Sequence, residues 1–209
     1  MSKKIGVVVI GRNEGERLKI CLNSILSSTS AIVYVDSASN DGSVTFAESL
    51  NIDVVALDMS KPFTAARARN EGFDTLVSKY SEIEYVQFVD GDCEVISDWF
   101  DNATAVFSQK NEEKLAVVFG LCKERYPNAS IYNYQADIGW RIKPGYTETC
   151  GGNALISVEA FTKMNGFDSS LIAGEEPDLC LRLRRSDWNI LSVSSAMVWH
   201  DSDLHHFSQ

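Results

Sequence analysis

The densest chemistry in the chain lies in "QFVDGDCEVISDW", where Asp90, Gly91, Asp92 and Glu94 follow directly on an apolar run ending at Val89. Carboxylates this close repel one another unless a bound cation, a nearby arginine or full solvation offsets them. Asp92 offers an oxygen to a hard divalent ion that retains water and phosphate oxygens, and Gly91 lets a ligand approach the backbone. Asp-Gly-Asp also makes an ordinary turn. His200, closing "AMVWH", either serves structure at a strand end or joins Asp92 in a mixed carboxylate and imidazole site for manganese or magnesium.

Three further groups carry reactive or binding side chains. Asp36 in "VYVDSASNDGS" either accepts hydrogen bonds from a base N–H or ribose hydroxyls, or caps the element that follows. Its strand-end carboxylate is expected to add little to the core. Arg67 and Arg69 in "TAARARNEG" stand early in a helix, where the dipole favours acids; they point to an anionic ligand or to a solvated face. In "AGEEPDLCLRLRRSDW", Glu175, Glu176 and Asp178 open a helix, as the dipole prefers, and a glutamate presented to a cleft is equally what a general base requires. Adjacent helical residues point about 100° apart, so one glutamate is expected to face the cleft and the other solvent or a neighbouring strand. Leu179 and Leu183 mark the buried stripe, and a partly desolvated Glu176 would have a raised pKa.

The elements that must position these groups are legible from periodicity. "IGVVVI" reads as a buried strand and "ERLKICLNSIL" as a helix with Leu18, Cys21, Leu22, Ile25 and Leu26 on one face. Asn13 and Glu16 have the spacing of a capping box. "AIVYVD", "DVVAL" and "YVQFVD" repeat the strand pattern, separated by the helices "VTFAESL" and "TAARARNEGFDTLVSKY". Four strands alternating with three helices predict an α/β fold, a Rossmann-like, mainly parallel sheet flanked by helices, with ligands at the carboxyl ends of the strands. Beyond residue 100 the spacing predicts a helix in "SDWFDNATAVFSQ" and a strand in "KLAVVFGLCK". Residues 126–150 read as an aromatic, loop-rich acceptor lid. Helices at "VEAFTKM" and from Glu175 to Arg185, then a final strand "LSVSSAMVWH", complete the chain.

At 209 residues one domain is expected, with a nucleotide-binding half at about 1–100 and an acceptor and catalytic half at about 101–209. The net charge of −10 argues against nucleic acid as a partner. The five cysteines include no CxxC pair, so reduced thiols in a cytoplasmic protein are expected rather than a disulfide framework or a zinc site. The apolar run at the N-terminus is too short for a signal peptide or a membrane span. His205 and His206 read as a polar tail.

Taken in order, "VVVIGRNEGERLKICLNSIL", "IVYVDSASNDGS", "FTAARARNEGF", "FVDGDCE", "GGNALISVEAFTKMNGFD", "AGEEPDLCLRLRRSDWNI" and "MVWH" resemble the family 2 glycosyltransferases, inverting enzymes with the GT-A fold. The resemblance implies sugar transfer from a nucleotide-sugar donor, a UDP-sugar, to a saccharide or lipid-linked acceptor hydroxyl, with Mn2+ or Mg2+. It implies a nucleotide site of Gly11, Arg12, Glu14, Asp36, Arg67, Arg69, Asp90 and Gly91, with Asp90 meeting the ribose. Asp92 and His200 would hold the metal, and Gly151, Gly152 and Asn153 would floor the donor-sugar pocket. Glu176 stands where the family places its base, with Glu175 as competitor.

The chain departs from the family pattern in three places. Arg12 replaces a common aromatic, although a guanidinium plane also stacks on a base. Glu176 replaces an aspartate. Similar sequences continue into a helical segment beyond the position of His200, so peripheral association with the inner face of the membrane through a C-terminal tail is expected. A nucleotidyltransferase would carry a glycine-rich basic loop after the first strand, and a dehydrogenase a GxGxxG turn; "GRNEGE" is neither. The non-enzyme alternative is a degenerate nucleotide-sugar-binding or scaffold module.

Overall fold

Continuous β-branched runs are stable as strands where both faces are covered. In the computed structural model, which describes residues 4–110 and 113–202, such runs form β1 (Ile5–Gly11), β2 (Ile32–Asp36), β3 (Asp53–Ala56) and β4 (Tyr85–Asp90). Helices α1 (Glu16–Leu26), α2 (Ser43–Ser49) and α3 (Ala65–Lys79) connect them. Strands β1 to β4 pair in parallel in the order β3-β2-β1-β4. Helix α3 packs across β1 and β2, and Gly72 on it lies so close to Val8 and Val35 that a Cβ would stand 2.4 Å from one Val8 methyl.

The second half extends the sheet less regularly. It contributes β5 (Cys93–Val95), α4 (Trp99–Gln109), β6 (Leu115–Glu124), α5 (Ile131–Gly139), β7 (Gly145–Tyr146), β8 (Ala154–Ser157), α6 (Val158–Lys163), α7 (Glu175–Arg185) and β9 (Asn189–His200). The order continues β4-β8-β6-β9-β5, with β7 also on β9. Strand β8 runs antiparallel to β4 and β6, β9 runs parallel to β6, and β5 and β7 run antiparallel to β9. Parallel pairing therefore holds through the first half, and the sheet becomes mixed beyond β4.

Core packing accounts for the polar residue inside β4. Gln87 is fully buried in β4, where it accepts from the Trp99 indole N–H at 2.8 Å and donates to the Phe88 carbonyl at 2.8 Å. The predicted capping box is not formed. Gly15 is the N-cap of α1, and the Asn13 side chain instead accepts from the Asn40 amide at 2.8 Å. With Gly15 N–H on Asp41 and Asn13 N–H on Ser39, the β1–α1 and β2–α2 turns are clipped together at the carboxyl edge of the sheet. Among the described residues no helix is long and apolar enough to cross a membrane. His205 and His206 lie outside the described residues.

Candidate active site

Strand register brings the acids together. Gly11 pairs with Asp36 and Ile10 with Asp90, so the ends of β1, β2 and β4 meet on one edge. The antiparallel pairing of β5 with β9 sets Cys93 opposite His200 and so delivers Asp92 to the imidazole, Oδ2 to Nε2 at 3.3 Å. That three-residue strand was not visible in the sequence.

The crowded carboxylates each have a basic partner. Asp90 pairs with Arg69 at 2.9 Å, Asp92 with His200, Glu14 with Arg17 at 2.8 Å, and Glu94 with Arg125. Burial alone would raise the pKa of Asp92, but its bond to His200 and the attraction of that ring outweigh this and lower it. Burial would lower the pKa of His200, and the Asp92 partnership raises it instead. Glu14 is pushed up by burial, which Arg17 only partly offsets.

Arg69 is the hub of the site. Its side chain is 4% exposed and meets Glu175 at 2.8 Å, Asp90 at 2.9 Å and Glu176 at 3.4 Å. The anions it faces are the protein's own carboxylates, which explains Arg69 early in α3. Arg67 is turned away from the cleft. It donates to the carbonyls of Pro62 at 2.8 Å and Asp58 at 2.5 Å and pairs with Glu71, fixing the loop before α3.

The expectation that one glutamate of α7 faces the cleft and the other solvent or a strand is corrected. Both reach Arg69, and Glu175 is the more buried. A helix N-terminus that meets a buried arginine turns adjacent residues toward one charge. Burial raises the pKa of Glu176 against the opposing pull of Arg69.

Two cavities meet at Asp90. One, of about 250 Å³, is lined by Gly11, Arg12, Glu14, Ser37, Phe63 and Asp92. The other, of about 720 Å³, is walled by Trp140, Gly151, Gly152, Asn153 and His200. Asn153 fixes Asp90 by accepting from its amide at 3.0 Å and donating to its carboxylate at 3.2 Å. Gly152 can carry no side chain, because a Cβ would stand 2.4 Å from Arg69 and 3.1 Å from Glu176. Trp140 lies on His200 with ring centroids 4.5 Å apart. Phe63 is 47% exposed, an aromatic in the cleft wall that sequence reasoning passed over.

Asp36 lies behind this wall. At 4% exposure it accepts from the Tyr34 hydroxyl at 2.8 Å and the Ser39 amide at 2.9 Å. The little-core expectation for it is corrected, since Asp36 is itself buried and its removal takes one partner from the hydroxyl of a fully buried tyrosine, leaving the Ser39 and Ser43 hydroxyls. Asp36→Ala is expected to lose about 1–3 kcal/mol of stability, read as a lower melting temperature. An unshifted melt would show that the carboxylate does not carry those bonds.

A metal fits part of this donor set. Asp92, Cys93 and His200 place ligand atoms within 4.8 Å of one another. Burial holds the Cys93 thiol well above its usual pKa, so the useful donors are a carboxylate and an imidazole, a pair suited to manganese or magnesium.

An α/β sheet with its acids and cavities at the carboxyl edge is the GT-A arrangement, and solved structures agree. The crystal structure of residues 1–349 of S. aureus TarS superposes with a TM-score of 0.69 at 18% identity, covering 95% of this chain and 60% of that one. A mycobacterial protein gives 0.64 at 15% identity, covering 99% of this chain and 69% of that one. Residues 6–164 match glycosyl transferase family 2, and the chain belongs to that family. Residues 136–206 also match the family described as the N-terminal domain of galactosyltransferase.

Two curated relatives, named as glycosyltransferases, come from Rickettsia bellii and Rickettsia conorii. Each is 26% identical over 114 residues, 54% of this chain. The chain matches only 36% and 38% of their lengths.

Proposed function

We propose that this chain carries the catalytic site of an inverting glycosyltransferase that moves a hexosyl group from a UDP-sugar to an acceptor hydroxyl. The observation that carries this is the placement of Asp90 in the walls of both cavities, so that a nucleotide-sugar lying across it would reach from one to the other. Gly11, Arg12, Glu14 and Gly91 border the nucleoside, Asp90 meets the ribose, and Gly151, Gly152 and Asn153 floor the sugar. Asp36 and Arg67 act from behind, holding the turn and the loop that shape the nucleoside cleft. The galactosyltransferase-domain match supports a hexosyl donor.

In the reaction, the acceptor hydroxyl gives its proton to Glu176 while its oxygen attacks the anomeric carbon. The bond to the diphosphate oxygen breaks on the opposite face, so configuration inverts. Arg69 positions Glu176 and Asp90 together. Asp92 and His200 would hold Mn2+ or Mg2+, which when bound offsets the charge of the departing diphosphate. The acceptor is a saccharide or lipid-linked saccharide, used in polysaccharide synthesis at the cytoplasmic face of a membrane. The test is release of nucleoside diphosphate from a panel of sugar nucleotides, with and without manganese. Binding without release in any arm would leave only a binding module.

Phe63, which lines the smaller cavity together with Arg12, is assigned to stack on the base. Phe63→Ala should weaken UDP binding by roughly 5- to 150-fold, the loss of about 1–3 kcal/mol of base stacking. Affinity unchanged by calorimetry would remove Phe63 from the site.

A further inference from the structure

Cys150 and Cys180 are far apart in sequence, yet their sulfurs lie 3.5 Å apart. Cys150 immediately precedes Gly151, and Cys180 sits one helical turn beyond Glu176 on α7. All five cysteines are free thiols. Cys180 is fully buried, while Cys150 is partly exposed to the larger cavity, which gives a small oxidant access to the pair. We propose that Cys150 and Cys180 are a reversible disulfide site that, when oxidised by a peroxide, tethers the Gly151–Gly152–Asn153 loop to α7.

The chemistry balances with one peroxide per pair. The Cys150 sulfur attacks the peroxide, the O–O bond breaks, and a sulfenic acid and one water result. The Cys180 sulfur then attacks the sulfenic sulfur. The S–S bond forms, the S–O bond breaks, and the oxygen leaves as a second water carrying the Cys180 proton. Two thiols have lost two electrons and the peroxide has gained them. Access to the cavity puts Cys150 first, although the bond the two sulfurs share and burial hold its pKa well above the usual thiol value, which makes its attack slow; the same bond keeps Cys180 below its usual value, which suits Cys180 as the second nucleophile. In a reducing compartment such a bond is transient and regulatory rather than structural.

Closing the bond draws the sulfurs together by ~1.5 Å, to the ~2.05 Å of a disulfide. The tethered loop contains Gly152, which already abuts Arg69 and Glu176. Displacements of about 1 Å near reacting groups cost up to a hundredfold in rate. The oxidised protein should therefore transfer sugar at least about tenfold more slowly. That effect rests on the proposed activity; the cross-link does not.

The experiment treats the full chain with hydrogen peroxide, blocks remaining thiols by alkylation, and maps peptides by mass. The expected result is a linked pair of peptides carrying Cys150 and Cys180, two hydrogens lighter and released by dithiothreitol. Turnover should fall with the same time course and recover on reduction, while Cys150→Ala, which lacks the thiol that meets the oxidant, stays insensitive to peroxide relative to its own reduced rate. A link between other cysteines, or oxidation of Cys150 to sulfinic acid without a link, overturns the site. A link that forms with no change in turnover overturns the switch. Because the mapping needs no sugar transfer, an inactive preparation tests the disulfide equally well.

Discussion

Glu176→Gln is expected to lower turnover by about a hundredfold to ten-thousandfold while leaving donor binding intact. The substitution keeps size and hydrogen bonding and removes basicity. Glu176 is the less buried of the two glutamates on Arg69, and its carboxylate lies against Gly152, which is itself a lining residue of the larger cavity. A base acts only when deprotonated, and burial raises the pKa of Glu176. Turnover should therefore fall with decreasing pH along an acid limb that lies above the ordinary glutamate range. Glu175→Gln should act differently. Its carboxylate is locked on Arg69 in the interior, so the loss should show as a lower melting temperature with a modest change in rate. Steady-state kinetics of both variants across pH decide between them. If Glu175→Gln is the dead enzyme and Glu176→Gln turns over normally, the roles are reversed.

Asp92→Ala should cost roughly a thousandfold or more in rate, several kcal/mol of leaving-group stabilisation. The protein is acidic throughout, with a net charge of −10, so little else nearby offsets a diphosphate. Arg69 and Arg17 are already committed to carboxylates. Removing Asp92 also leaves His200 without its strongest partner. Calorimetry should show UDP binding enhanced by manganese in the natural chain and not in Asp92→Ala. Equal UDP affinity in manganese and in excess chelator, unchanged by the substitution, would sink the metal assignment.

Much of the nucleotide half was legible because its signals are local. Strands β1 to β4 are runs of Val, Ile, Tyr and Phe, and the helices between them repeat apolar residues at helical spacing, so order and direction follow from periodicity. Strands β5 and β7 have three and two residues and carry no period to read. Helix α5 misleads in the opposite sense. Its Ile131, Tyr134 and Ile138 face solvent, while Asn133 is buried and donates to Glu124 at 3.1 Å. The site divides in the same way. Asp90, Asp92 and His200 stand at strand ends that periodicity marks. The contacts of Arg69 with Glu175 and Glu176 span more than 100 positions, and nothing local in "TAARARNEG" announces its partners. Phe63, a single aromatic after a proline, gave no pattern at all.

One guanidinium facing three carboxylates also sets the charge balance under α7. Arg69 and Asp90 already balance each other in charge, so each glutamate that α7 adds arrives at a neutral pair and leaves a surplus of negative charge. The docking of α7 is held instead by Leu179, Cys180 and Leu183, which are wholly buried. Arg182 adds to this by donating to the carbonyls of Met164 at 2.6 Å and Gly166 at 2.9 Å, while mutual repulsion of the acids works against it. The helix that carries the proposed base is thus held by packing and by Arg182 at one end, while its acidic end shares a single guanidinium with Asp90.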